Sequence, residues 1–338
     1  MYRLSFLCSF LEVKGLSSLG RFIIRRTLSI IPMVLLIVAI NFFIIHLAPG
    51  NPAQLISGLE QPSPEVIEAL EEQYGLNQPL IVQLGLYYRN IFQGNLGYSF
   101  IYGTSVNGLI FERAGATILL TVTAAIIAFI IGTLIAVWVG RRKTKVLDSI
   151  FSVLAYIFYA MPSFWLALVL ILTFSSTFKL FPTSGMFNVR ESYEGFAKIG
   201  DVLYHLALPC ATLALIQIPV FFRVTRSSID QVHQDEYITT FTAIGISRKK
   251  IFKKYVLKNA ILPTITIFGL TLGYAISGAA LVEIVFAWPG MGRLMLDAVF
   301  RRDYNLLLGI YFVMAVCICL AILITDIVYA LVDPRIRY

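Results

Sequence analysis

The sequence predicts an all-α polytopic membrane protein with six spanning helices. Three observations predict it. Only 14% of the 338 residues are charged and 58% are hydrophobic, with a mean hydropathy of +0.80, whereas a water-soluble domain carries about a quarter charged residues. Six apolar stretches each reach the ~20 residues needed to cross ~30 Å of hydrocarbon. Basic clusters fall on alternate connections, which six crossings with both termini inside account for and an odd number does not. The net charge of +8 therefore reports basic inner loops, not affinity for nucleic acid.

Residues 1–21 read as a cytoplasmic N-terminal segment whose basic flank continues into Arg25 and Arg26. The first crossing covers 22–47. Its apolar run exceeds the ~7–15 residues of a signal-peptide core, so it reads as a retained helix. Pro49-Gly50-Asn51-Pro52 ends it. Residues 48–113 form a helical extracytoplasmic excursion. Its first helix places Glu65, Glu68, Glu71 and Glu72 on one side and Val66, Ile67 and Leu70 on the other, and a second amphipathic run covers 81–92. The acidic character suits the outer side.

Residues 114–331 form the core. The second crossing, 114–140, is uncharged and is followed at once by Arg141, Arg142, Lys143 and Lys145. The third covers 146–174, with a kink at Pro162. An outer loop over 179–201 contains Phe181-Pro182-Thr183-Ser184-Gly185, and the fourth crossing, 202–222, holds Pro209 and Pro219. The fifth covers 260–283. Its outer loop carries Trp288-Pro289-Gly290-Met291-Gly292. The sixth covers 306–331, and residues 332–338 are a basic cytoplasmic tail.

Between the fourth and fifth crossings lies a basic, polar segment over 223–260. Residues 228–244 predict one helix, with Ile229, Val232, Tyr237, Ile238 and Phe241 as its apolar positions. Gly245 suits the left-handed residue that ends a helix. Ser247 can cap a second helix, which Arg248, Lys249, Lys250, Lys253, Lys254 and Lys258 load with charge. A helix-turn-helix that binds DNA does not fit 236–260, because spanning helices flank it and leave no third helix. A short helix carrying Tyr237, Ile238 and Phe241 is expected to form a rigid knob for a soluble partner's cleft.

Nothing in the chain supports enzyme chemistry. No G-x-x-x-x-G-K-S/T phosphate loop, H-E-x-x-H or G-x-S-x-G occurs. His46, His205 and His233 are scattered and read as helix-end or interfacial residues. Cys8, Cys210, Cys317 and Cys319 read as small apolar residues, with no metal-ligand spacing. The candidate pathway or gate residues are Glu283, Trp288, Pro289 and Gly290, with Tyr274 and Ser277. Counted from Ala260, Glu283 lies about 34 Å along a helix, so a wet interfacial carboxylate is the other reading. Gly269, Gly273, Gly278 and Ala279 favour close helix packing. Asp326 is expected near the inner interface or paired with Arg223 or Arg226.

The chain resembles the binding-protein-dependent ABC transporter permeases, specifically the B-type subunits of the dipeptide, oligopeptide and nickel importers. The resemblance rests on FIIRRTLSIIPMVLLIVAINFFIIHLAPGNP, YGLNQPLIVQLGLYYRNIFQGNLGYSF, MPSFWLALVLIL, FPTSGM, HLALPCATLAL, the segment from Arg223 to Pro263, EIVFAWPGMGRLMLDAVFRRDY and DPRIR, in shared order. It implies a type I ABC importer permease fold. It implies that the polar segment carries the ATPase-docking EAA motif, whose triplet falls on Thr239, Thr240 and Phe241, with its glycine at Gly245 and its close at Ile261-Leu262-Pro263. The glutamate and both alanines of that motif are absent here. The implied coupling residues are Glu236, Tyr237, Thr239, Thr240, Phe241, Gly245, Ser247 and Arg248.

The resemblance also implies a translocation pathway for peptides or related solutes, worked by alternating access. The expected partners are a second related permease in a heterodimer, two ABC ATPase subunits, an extracytoplasmic solute-binding protein and membrane lipid, with no nucleic acid. No cofactor is expected on this chain; ATP and Mg belong to the ATPase subunits. The alternative is a channel or secondary transporter without ATPases, which predicts mid-membrane charges and paired broken helices.

Overall fold

The computed structural model describes residues 18–47, 63–74, 77–142, 144–191, 193–277 and 279–332. Most of the N-terminal segment, the Pro49–Pro52 break, Gly278 and the DPRIR tail lie outside the described residues. Five helices are long and apolar enough to cross a membrane, and a bent pair makes up to a sixth.

Helix α1, Ser18–Leu47, turns Val34, Val38, Phe42 and Ile45 inward at helical spacing and leaves Leu36 and Ile44 exposed. It packs along the last helix, α13, Tyr304–Val332. The Arg26–Asp326 ion pair, 2.8 Å, ties the two together. Asp326 is therefore held by the first crossing, not by Arg223 or Arg226 as the sequence suggested.

The excursion after α1 contains α2 (Pro64–Tyr74), α3 (Leu80–Phe92) and a two-stranded hairpin, β1 (Tyr98–Ser99) with β2 (Thr104–Ser105). Glu65, Glu68 and Glu72 are exposed, as an acidic face needs. Tyr88 donates its hydroxyl to the Leu35 carbonyl at 2.6 Å, which anchors α3 to α1. The hairpin is pinned to the start of α13: buried Asp303 accepts from the Ser99 hydroxyl and from the Leu306 N–H. Burial pushes the Asp303 carboxyl above its ordinary pKa, against those hydrogen bonds.

Helix α4, Val106–Arg142, begins well before the expected position 114. Its N-terminal end is an apolar peg: Val106, Leu109 and Ile110 are buried against α13. Its most extensive partner is α7, Gly195–His233, which runs on at both ends beyond the expected 202–222. Ala124, Ala128, Gly132 and Ala136 form the contact stripe on α4. A side chain at Gly132 would meet the Ile218 carbonyl at 2.7 Å, so small residues set the helix separation.

The third crossing is not one kinked helix. Helix α5, Lys145–Ala160, and α6, Ser163–Leu170 with its π-helical continuation Ile171–Thr177, meet at 102° across Met161-Pro162. Pro162 starts a helix here, where its missing N–H costs nothing. Arg226 on α7 holds α5 through Asp148 (2.9 and 3.1 Å) and also pairs with Asp230.

The fifth crossing is broken too. Helix α10, Leu262–Gly273, ends in a 3-10 turn, Tyr274–Ser277, and α11, Ala280–Val285, follows. Gly269 and Gly273 pack onto α13, where added side chains would meet Thr325 at 2.9 Å and Ala321 at 2.4 Å. Helix α12, Met291–Arg301, then leads to α13.

Candidate functional site

The polar segment forms two helices joined by a tight turn. The long helix α7 takes its first part, through His233, so the expected single helix over 228–244 is split at Gln234 and Asp235. Helix α8 is Glu236–Ala243. Helix α9 runs from Arg248–Ile251 through a π-helical turn, Phe252–Val256, into Leu257–Ala260. Together with α10 it makes one apolar span, Arg248–Gly273.

Two turns of isolated helix are not stable in water, so α8 depends on what it packs against. Ile238 is buried with Ile229 of α7 and with Ile251, Phe252, Val256 and Ala260 of α9. Phe241 lies 4.3 Å from Tyr255 between ring centroids, and Asn259 donates to the Tyr237 hydroxyl at 3.0 Å. Burying Ile238 contributes about 1.5–3 kcal/mol, and half-buried Tyr237 and Phe241 add to it, which offsets the instability of a short helix.

The turn has the geometry of a Schellman cap. Ile246 N–H donates to the Phe241 carbonyl and Gly245 N–H to the Thr242 carbonyl, both at 3.1 Å. Gly245 sits at φ +82, the left-handed region. Ser247 is the N-cap residue of α9 by backbone, but its hydroxyl makes no capping bond.

Tyr237, Ile238 and Phe241 thus face inward and fasten α8 to α9, so they hold the short helix in place and are not its exposed side. The exposed face is Glu236, Thr239, Thr240, Ala243 and Ile244, with Ile244 67% exposed. Arg248 is exposed beside it. Helix α8 is joined to the spanning helices by two routes: through α9 into α10, and through α7. A buried hydrogen bond of 2.8 Å between Thr225 and Thr264 hydroxyls joins these routes. Thr225→Val alone strands the Thr264 hydroxyl and is expected to cost about 1–2 kcal/mol, whereas adding Thr264→Val restores most of it. Thermal unfolding of the purified single and double variants reads this difference.

The candidate pathway residues form a second, separate construction, beyond the break in the fifth crossing. Glu283 is 0% exposed, so it is not a wet interfacial carboxylate. It accepts from the Thr117 hydroxyl at 2.8 Å and from the Arg293 N–H at 2.9 Å, in the first turn of α12. Thr117 in turn accepts from the Met291 N–H at 2.7 Å. The Glu283 carboxylate and Thr117 therefore cap α12 from α11 and α4. Ala287, at φ +49, turns the chain back. Trp288 is also 0% exposed, and its indole N–H donates to the Ala116 carbonyl at 2.9 Å. Gly290 is buried against Glu283 and Pro289 is half-buried. The loop between α6 and α7 closes over this latch, with Gly185 N–H donating to the Phe286 carbonyl at 2.8 Å.

Glu283, Trp288, Pro289 and Gly290 are thus brought together, while Tyr274 stands apart. Tyr274 is 55% exposed on the turn that breaks the fifth crossing. Ser277 closes the same turn. The Ala275 carbonyl, freed by the break, accepts from the Thr121 hydroxyl at 3.0 Å. The sequence reading missed Thr117 and Thr121, two threonines in an apolar helix with nothing local to mark them.

Residues 128–338 match the family described as binding-protein-dependent transport system inner membrane component, and residues 19–121 match the N-terminal part of such a membrane component. The chain is 37% identical over 325 residues to the oligopeptide transport system permease protein AppB of Bacillus subtilis, covering 95% of this chain and all of the relative. It is 37% identical over 328 residues to the dipeptide transport system permease protein DppB of Alkalihalophilus pseudofirmus, covering 93% and 98%. A chain of the MetNI methionine ABC transporter, solved in inward-facing conformations, superposes with a TM-score of 0.52 at 15% identity, covering 67% of this chain and 96% of that one. That likeness gives the fold, which is the type I importer permease fold. With two family matches spanning nearly its whole length, the chain belongs to the inner membrane components of binding-protein-dependent transport systems.

Proposed function

We propose that this chain is the permease subunit of an ATP-driven importer and lines the translocation pathway for peptides. The observation that carries the reading is the exposed face of α8, held rigid by a Schellman turn and continuous with the fifth crossing. A rigid element of that kind is suited to sit in a groove of an ATPase subunit, and nothing in the chain's own motifs binds nucleotide. ATP and Mg belong to two such subunits. Relatives named as oligopeptide and dipeptide permeases support peptides as the solute class. A binding-protein-dependent family weighs against a channel or secondary transporter, although two broken crossings occur.

In this reading both termini and α8 are cytoplasmic, and the excursion with α2 and α3 faces the solute-binding protein. A second, related permease completes the pathway. When the ATPase subunits close on ATP, their grooves displace α8, and α9 carries the displacement into α10. Tyr274, at the break above α10, lines the pathway; the Glu283–Thr117 latch keeps α11 and α12 in place around it.

Cysteine cross-linking in the assembled complex tests this. Thr239→Cys and Thr240→Cys are expected to cross-link to an ATPase subunit, and buried Ile238→Cys is not. Absence of any ATPase subunit from the purified native complex, or labelling of Thr240→Cys only from the outer face of intact cells, would sink the importer reading.

A further inference from the structure

Six of the eleven residues from Arg248 to Lys258 are basic, and none is acidic. They are all exposed, and among the described residues none of them forms an ion pair. Helix geometry arranges them further. In a regular α-helix, positions four apart drift by about 40° at each step. The π-helical turn at Phe252–Val256 is wider and absorbs that drift. Phe252, Val256 and Ala260 therefore all stay buried on one side, while Lys250, Lys254 and Lys258 all stay exposed in one line, with Lys249 and Lys253 beside them.

The buried side of α9 is the side that receives Ile238 and Phe241 of α8. The lysine line thus lies on the side of α9 opposite Phe252, Val256 and Ala260, with Lys254 Nζ 5.9 Å from the Tyr255 ring centroid. It is also close to the bilayer. Lys258 precedes the first residue of α10, Leu262, by about 6 Å of helix axis and Lys250 by about 18 Å, and lysine side chains extend their charge along an apolar surface. A run of four to eight basic residues immediately inside a crossing is attracted to acidic lipid headgroups, by about 1 kcal/mol per residue.

We propose that the Lys250–Lys254–Lys258 line, with Lys249 and Lys253, binds the headgroups of anionic phospholipids in the cytoplasmic leaflet and seats the docking element against the membrane. This rests on the inward-facing placement of the segment given above. It assigns the two helices different partners: α8 meets protein, and α9 meets lipid.

The assembled complex in nanodiscs tests it, one set of phosphatidylcholine alone and one of phosphatidylcholine with phosphatidylglycerol at three to one. Lysine acetylation is followed by mass spectrometry. Lys250, Lys254 and Lys258 are expected to react about five-fold more slowly in the phosphatidylglycerol discs, with Lys198 unchanged. Equal reaction in both discs overturns the proposal. So does slowing that follows the ATPase subunits but not the lipid, which assigns the face to a protein partner. The K250Q/K254Q/K258Q variant, altered only at exposed positions, is expected to lose phosphatidylglycerol retained by the unaltered chain in native mass spectrometry. It should still cross-link to the ATPase through Thr240→Cys; retention of the lipid by this variant also overturns the proposal. Loss of lipid dependence with cross-linking intact separates a failure here from a failure of the importer reading, which removes the cross-link.

Discussion

Gly245→Val is expected to leave the chain inserted in the membrane but to lower transport by more than an order of magnitude. The residue sits at φ +82, where an L-residue costs roughly 1–2 kcal/mol and a β-branched one more. Two backbone hydrogen bonds depend on that conformation, from Gly245 to Thr242 and from Ile246 to Phe241. Each contributes about 0.5–1.5 kcal/mol, so the total bias against the native turn is about 3 kcal/mol. That is enough to leave the docking geometry a minor population. No neighbouring atom lies within 4 Å of an added Cβ, so the effect comes from backbone angle and not from a clash. Gly245→Pro adds the loss of the N–H and should be at least as severe. Gly245→Asn is the control, since asparagine tolerates this region. Reconstituted vesicles read the outcome as ATP hydrolysis that continues without solute uptake. Normal uptake by the valine variant would refute coupling through α8 and α9.

The second large effect is expected at Glu283. Glu283→Ala removes both acceptors of a buried carboxylate and leaves the Thr117 hydroxyl and the Arg293 N–H unsatisfied. Each orphaned group costs about 1–3 kcal/mol, and the cavity left behind adds to that. A loss of about 3–5 kcal/mol follows, large against the marginal stability of most folds. Glu283→Gln keeps the volume and one acceptor, and should cost clearly less. Gly290→Ala attacks the same latch from the other side: its Cβ would sit 2.3 to 2.5 Å from the Glu283 carboxylate. Thermal unfolding in detergent should rank the alanine variants far below the glutamine one. An Ala variant as stable as the unaltered chain would mean that α12 is held by something other than this carboxylate.

Legibility differed between the two constructions for a physical reason. The turn at Gly245 is local: an apolar periodicity, a glycine and a serine in succession mark it without knowledge of the rest of the chain. The direction of α8 was not local. Tyr237, Ile238 and Phe241 form an apolar stripe on the helix, and a stripe alone does not say whether it seeks a partner or a neighbour. Packing on Phe252, Tyr255 and Val256 decided that it seeks a neighbour. The latch was even less visible. Glu283 and Thr117 are separated by 166 positions, and nothing in either local sequence names the other.

The crossings themselves were written in composition, because a bilayer demands about twenty apolar residues from each helix wherever it occurs in the chain. Six such stretches and their basic flanks determined the class of protein and set the polar segment between two of the crossings. What composition left open was continuity. Met161-Pro162 became a bend of 102° rather than a kink, and α10 stopped at Gly273 while the apolar run continued. A broken helix frees backbone groups, and the break stands only where a neighbour supplies partners, as Thr121 does for Ala275. Such partners come from distant parts of the chain, so the tertiary structure alone could decide where the helices end and which face each one buries.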